Sequence, residues 1–366
     1  MQIDYDGFAK KKNRKTIMEV ILEKAKNQFS QNLPFVLYKK PNNSNVIGLF
    51  QRDDTLFEAT EFTEKGFVFA SFDGSKTFLI PENESEIIRL DFQKKEIKVL
   101  EKEFNLPNET DKNNFENLVT KGIQSIKNGE FKKVVLSRKE TLEIVDFDLF
   151  AAFEKLVHLY PTAFVYCFYH PKIGTWLGAT PEQLLKAKET EFETIALAGT
   201  QKDTGNNAVV WPKKEQEEQQ FVTDYIVDKL KNVASNVLVS KPYSLKAGSI
   251  WHIKTDISGK LNSDSSLKEV IQLLHPTPAV CGFPKERSKA FILENENYDR
   301  TFYTGFLGEL NMEDRTDLFV NLRCMEIGDS HAHLFMGCGI TKDSIPEKEW
   351  EESSNKSATM KKILFV

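Results

Sequence analysis

The C-terminal segment IPEKEWEESSNKSATMKK places Glu349, Glu352 and Lys356 at i, i+3 and i+7, so a helix would present them on one face. Two carboxylates on one face suit a hard, oxygen-liganded cation such as magnesium, although a solvated charged face produces the same spacing. The helical segment WPKKEQEEQQFVTDYIVDKL sets Glu218 beside an apolar stripe of Phe221, Val222 and Tyr225. A carboxylate at the border of an apolar face needs a partner, and a metal ion is one candidate. Lys133 opens the apolar strand VVLSR next to Lys132, and strand alternation sends the two to opposite faces. One of them therefore points inward or toward a cleft, where desolvation lowers a lysine's proton affinity and suits it to act as a base.

Other polar residues sit where polar residues are unusual. Glu182 follows a proline in the turn of GATPEQLL, a position able to aim a carboxyl group into a pocket or simply to begin a helix. Arg323 lies inside LFVNLRCMEI, where it would either hold a substrate carboxylate or satisfy a buried acid. His275 stands among prolines in LHPTPAVCGFP, and the two glycines of GCGI bare backbone amides to an anion or mark a bulge. No Walker A loop, HExxH or GxSxG is present.

These residues must be carried by regular elements. Apolar periodicity predicts helices over 15–31, 115–126, 147–159, 213–234, 265–274, 285–296 and 346–362. Between them lie strands: PFVLYKK, NVIGLF, GFVFASF, TFLIPE, KKVVLSR, TAFVYCFYH, FETIALAGT, YSLKAGSIWHIKTDISGKL, RTFYTGFLGEL, DLFVNLRCMEI and AHLFMGCGI. The polar stretch 93–112 reads as a strand and a connector. Several strands follow one another directly, which favours an α+β fold of large antiparallel sheets flanked by helices over a doubly wound parallel sheet. With no linker-like run, one intertwined domain is expected, with residues 1–105 its variable part and 106–366 its catalytic region.

Composition sets the class. The 366 residues are 40% hydrophobic and 28% charged, with 28 phenylalanines, enough for a large core. A net charge of -5 gives no nucleic-acid footprint. No window approaches the roughly 18 apolar residues of a membrane span, and MQIDYDGFAKKKNRK lacks a signal peptide's apolar core, so a cytoplasmic protein is expected. The four cysteines form no CxxC pair and read as reduced, buried thiols.

In chain order, KKVVLSR, GATPEQLL, ALAGT, KEQEEQQFVTDYI, LHPTPAVCGFP, ENYDRTFYTGFLGEL, LFVNLRCMEI, GCGI and EWEESSNK resemble the chorismate-utilising enzymes, over residues 115–362. That family includes isochorismate, salicylate, anthranilate and aminodeoxychorismate synthases. The resemblance implies the fold of anthranilate synthase component I, a sandwich-like unit with its site between the halves. It also implies chorismate as substrate, a magnesium ion and a monomer. By position, Glu218 and Glu352 match metal ligands, with Glu349 close by through water. Arg323 and Tyr303 match groups around the substrate carboxylates. Gly337 and Gly339 match an anion-binding backbone, Lys356 a lysine near the site, and Thr180, Ala198, Gly199 and His275 further pocket positions.

Two positions separate the family's reactions. Members that add ammonia carry glutamine where this chain has Lys133, and members that add water carry lysine. Aminodeoxychorismate synthase uses a nucleophilic lysine where this chain has Ala198. The resemblance therefore implies isochorismate formation, with Lys133 taking a proton from water and Glu182 protonating the departing C4 hydroxyl. Salicylate synthase, which adds pyruvate elimination, and a non-catalytic chorismate-binding member are the alternatives; GTQKDTG departs from the former's AGTRPRG-like segment. Menaquinone, siderophores and salicylate are all destinations of isochorismate. The chain also departs from the family in reading Gln219 for the usual histidine after Glu218, and Phe306 where proline is frequent.

Overall fold

The computed structural model describes residues 17–92, 109–202, 209–247 and 250–364. Among them are seven helices: α1 (Ile17–Ser30), α2 (Glu109–Lys127), α3 (Leu149–Leu159), α4 (Lys213–Leu230), α5 (Leu267–Leu274), α6 (Lys285–Asn295) and α7 (Pro346–Leu364). Each falls where the periodicity predicts it. The exceptions are at ends: α2 starts earlier, and residues beyond Leu230 leave α4 to form the edge strand Ala234–Val239. Most of the polar stretch expected at 93–112 lies outside the described residues.

The strands form two antiparallel sheets. The first runs Gly282–Phe283, Lys133–Glu143, His331–Ile340, Cys324–Ile327, Gly174–Thr180, Phe164–His170, Phe35–Lys39, Asn45–Gln51, Ser85–Asp91. The second runs Ala234–Val239, Ile250–Leu261, Glu191–Lys202, Gln183–Lys188, Arg315–Val320, Phe306–Met312, Gly66–Ala70, Thr77–Pro81, Phe57–Glu58; Tyr243–Ala247 also pairs with Ile250–Leu261. Both sheets draw strands from either side of residue 105.

The sheets pack face to face over an aromatic core that includes Tyr38, Phe69, Phe164, Phe168, Trp176, Phe302 and Phe319. Alternation along one strand shows the layering: Val36 and Tyr38 enter this core, whereas Phe35 and Leu37 face the helix side with α1, α3 and α7. Helices α4 and α5 cover the outer face of the second sheet through Val222, Ile226, Val270 and Ile271. Being buried on both faces, the central strands are continuous apolar runs without the polar alternation of a half-exposed sheet. All four cysteines are buried and free.

Two segments change sheets midway, and one of them, DLFVNLRCMEI, was expected as a single strand. Arg315–Val320 belongs to the second sheet and Cys324–Ile327 to the first, with Arg323 in the crossover at φ 48°. Likewise Gly174–Thr180 lies in the first sheet and Gln183–Lys188 in the second, with Glu182 in the crossover. The segment RTFYTGFLGEL becomes a strand only from Phe306, because Thr301 and Thr304 adopt positive φ in the turn before it.

Candidate active site

The two crossovers lie side by side. The Ala179 amide donates to the Arg323 carbonyl at 3.0 Å, and the Val320 amide to the Glu182 carbonyl at 2.9 Å. The Thr180 hydroxyl donates to the Val320 carbonyl at 2.6 Å and accepts from the Glu182 amide at 3.3 Å. Thr180 is therefore fully buried and fastens the turn that aims Glu182. Burial pushes the Glu182 carboxyl up to about 7, against the opposing charges of Lys133, Arg323 and Lys356. At neutral pH it is thus divided between acid and carboxylate.

Lys133 begins the strand Lys133–Glu143. Its Nζ lies 2.6 Å from the Glu218 carboxylate on α4. Lys132 points to the opposite side, its Nζ 4.8 Å from the Phe221 ring centroid, so Lys133 is the inward member of the pair. The strand's edge is satisfied first by Gly282–Phe283 and then by side chains: Arg300 Nη2 donates to the Val135 carbonyl at 2.7 Å, and the Ser137 amide to Glu296 Oε1 at 2.7 Å. This buried Arg300–Glu296 pair continues the edge where no strand is left to do so.

On the other side of Lys133–Glu143, the strand His331–Ile340 brings the two glycines. A Cβ on Gly339 would stand 3.1 Å from Lys133 Cε, and one on Gly337 2.9 Å from the Leu136 carbonyl and 3.1 Å from the Tyr303 hydroxyl. The Tyr303 ring stacks on Phe335 at 5.6 Å, beneath that strand. From α7, Lys356 Nζ contacts Glu352 at 2.7 Å and donates to the Gly337 carbonyl at 2.8 Å. Arg323 Nη1 reaches the Lys356 carbonyl at 3.4 Å.

Lys133, Glu182, Glu218, Arg323, Glu352 and Lys356 thus converge from both sheets, α4 and α7. Glu349 joins them, since Cys338, Glu349 and Glu352 offer ligand atoms within 4.8 Å of one another. The donor chemistry fits a hard cation. Burial pushes the Cys338 thiol up to about 12, and that thiol donates to the Glu349 carbonyl at 3.3 Å, so it stays protonated and leaves only oxygens to ligate. Glu218 and Glu352 already sit against ammonium groups, as carboxylates arranged to hold positive charge do.

Two of the sequence-predicted pocket positions, His275 and Ala198, are buried. His275 is buried at the end of α5, its Nε2 3.0 and 3.1 Å from the carbonyls of Ser71 and Phe72. Burial holds that imidazole down to about 4, with the Ser71 and Phe72 carbonyls opposing and Lys285 and Lys289 adding to the depression, so it remains neutral. Ala198 packs into the core with α4, and Gly199 beside it turns its carbonyl toward His252 Nδ1 at 3.1 Å. His252 is a residue that motif reasoning missed. Burial lowers its pKa despite the Gly199 carbonyl, and the charges of Lys356, Arg323 and Glu352 reach it. The only sequence signal was a histidine interrupting an apolar strand, and its facing of Gly199 depends on a bulge between Ala198 and Thr200.

Comparison with known proteins agrees with this architecture. The profile of the family described as chorismate binding enzyme matches residues 74–365, and the chain belongs to that family. It is 31% identical over 264 residues to isochorismate synthase EntC of Escherichia coli, covering 67% of this chain and 66% of that one. It is 30% identical over 271 residues to isochorismate synthase DhbC of Bacillus subtilis, covering 69% and 68%. The aligned stretch spans just under two thirds of the length of EntC. The solved structure of MenF, the menaquinone-specific isochorismate synthase of E. coli, superposes with a TM-score of 0.76 at 22% identity, over 90% of this chain and 88% of that one. No helix among the described residues is long and apolar enough to cross a membrane.

Proposed function

We propose that this chain converts chorismate to isochorismate, adding water at C2 and expelling the C4 hydroxyl. The observation that carries this reading is that Lys133 shares the site with Glu182, a half-buried carboxyl poised near 7 within reach of the charges of Lys133, Arg323 and Lys356. Relatives bearing the isochorismate synthase name support it, as does lysine in place of the glutamine that ammonia-adding members carry.

Lys133 takes a proton from water as its oxygen attacks C2. The double bond shifts, and the C4 hydroxyl leaves as water after accepting the proton of Glu182. In the structure Lys133 is tied to Glu218, so its base form requires that pair to open. Arg323 and Lys356 face a dianionic substrate with two positive charges, and Arg323 is suited to a planar carboxylate. Glu218 and Glu352 would hold magnesium, with Glu349 beside them, and the ion would supply positive charge to the ring carboxylate. General acid and base each contribute about 10²–10⁴-fold when so placed. Ala198 leaves no nucleophile where covalent catalysis would need one.

Incubation of the purified protein with chorismate and magnesium tests the reading. Isochorismate as sole product supports it. Salicylate with pyruvate would replace it with the eliminating reaction, and unchanged chorismate would leave a binding protein.

A further inference from the structure

The departure at Gln219 acquires a role in the structure. Gln219 is 1% exposed, and among the described side chains it is the first buried one along α4. The described side chains before it in the helix, from Lys213 to Glu218, are exposed or half-buried, and Pro212 gives the helix start no side-chain cap. The turn bearing Glu218 therefore projects beyond the apolar grip of Val222 and Ile226. Gln219 closes that gap with hydrogen bonds. Its Nε2 donates to Thr255 Oγ1 at 2.6 Å and to Thr223 Oγ1 at 2.9 Å, using both amide hydrogens. The Thr223 hydroxyl returns to the Gln219 carbonyl at 3.2 Å. Thr255, also buried, belongs to Ile250–Leu261, the strand that carries His252.

We propose that Gln219 is a positioning residue, which pegs α4 to that strand and thereby sets the rotation at which Glu218 enters the site. The inference rests on the reading of Glu218 as a metal ligand. A carboxylate about 5–6 Å from a helix axis moves by about 2 Å for a rotation of about 20°. Displacements of that size change ligation and catalysis by large factors. An apolar residue at 219 would lose both hydrogen bonds and leave Val222, nearly one turn further on, as the next buried anchor of the helix. A side chain that reaches Thr255 with an N–H donor would keep the peg, which makes glutamine a working substitute for the family's histidine.

The test is calorimetric magnesium binding to the full chain without substrate, alongside thermal unfolding. Gln219→Leu and Thr255→Val should each weaken magnesium binding by about tenfold while the protein stays folded. The double variant should be no weaker than either single one, because both remove one peg. Gln219→His should bind magnesium within about twofold of the unaltered chain. If Gln219→Leu fails to fold, Thr255→Val carries the test. Unchanged magnesium affinity in a folded Thr255→Val, or full addition of the two effects, overturns the proposal. Glu218→Ala distinguishes the underlying reading: unaltered magnesium binding there removes Glu218 from the ligand set, whatever Gln219 does.

Discussion

Replacing Glu182 by glutamine should make the protein more stable and less active, and the gain in stability should depend on pH. Glutamine matches the protonated acid in shape and cannot ionise. In the folded chain burial raises the Glu182 carboxyl from 4.5 to about 7, so between those values the folded state holds a proton that the unfolded state has released. Stability is therefore lost as pH rises through that window. Each pH unit is worth about 1.4 kcal/mol, giving a ceiling of about 3 kcal/mol, and partial solvent access at the mouth of the site reduces this to about 2 kcal/mol. Urea unfolding of the magnesium-free proteins at several pH values reads the difference directly. Glu182→Gln should match the parent near pH 4.5 and exceed it by about 2 kcal/mol at pH 8.5, while turnover falls by about 10²–10⁴-fold. The parent's kcat/KM should decline above pH about 7 as the acid form disappears. A stability difference independent of pH, or a less stable variant at pH 8.5, would refute the argument that this carboxyl is held against ionisation.

Three further outcomes follow from the same geometry. Lys133→Gln should remove isochorismate formation by at least about 10²-fold and, by freeing Glu218 of its ammonium partner, tighten magnesium binding several-fold by calorimetry; undiminished turnover would contradict the base assignment. Glu352→Ala should lose magnesium stimulation and activity together in a metal titration, and retained stimulation would remove Glu352 from the ligand set. Gly339→Ala, whose new methyl group meets Lys133 Cε at 3.1 Å, should lower kcat by about tenfold or more with little change in thermal unfolding; full activity would show that the lysine has room to shift.

Helices such as α1, α2, α3 and α5 were legible because each carries one apolar stripe of its own, and that information is local. Candidate site residues on regular elements could be placed on a face for the same reason: Glu218 on α4, Glu349, Glu352 and Lys356 on α7, and Lys133 at a strand's start. His252 was not legible, since a histidine in a strand reveals nothing until its cross-strand partner is known. His275 is a similar case: its Nε2 meets the carbonyls of Ser71 and Phe72, which the sequence does not place beside it.

By itself, then, the order of residues determined which groups are available, an inward lysine, an aligned pair of glutamates and an arginine among apolar neighbours, and which elements bear most of them. Where those elements meet was decided only by the tertiary structure. LFVNLRCMEI reads as one strand without a break and GATPEQLL as a turn after a strand, yet neither pattern shows that the chain leaves one sheet for the other at the residue that matters, Arg323 and Glu182. Apolar residues on both sides of a crossover look alike, because both sheets are buried on both faces. Adjacency of the two crossovers arises from hydrogen bonds between Val320 and Glu182 and between Ala179 and Arg323, over 130 residues apart in the chain. The same burial that conceals the crossovers in the sequence is what raises Glu182 toward neutrality.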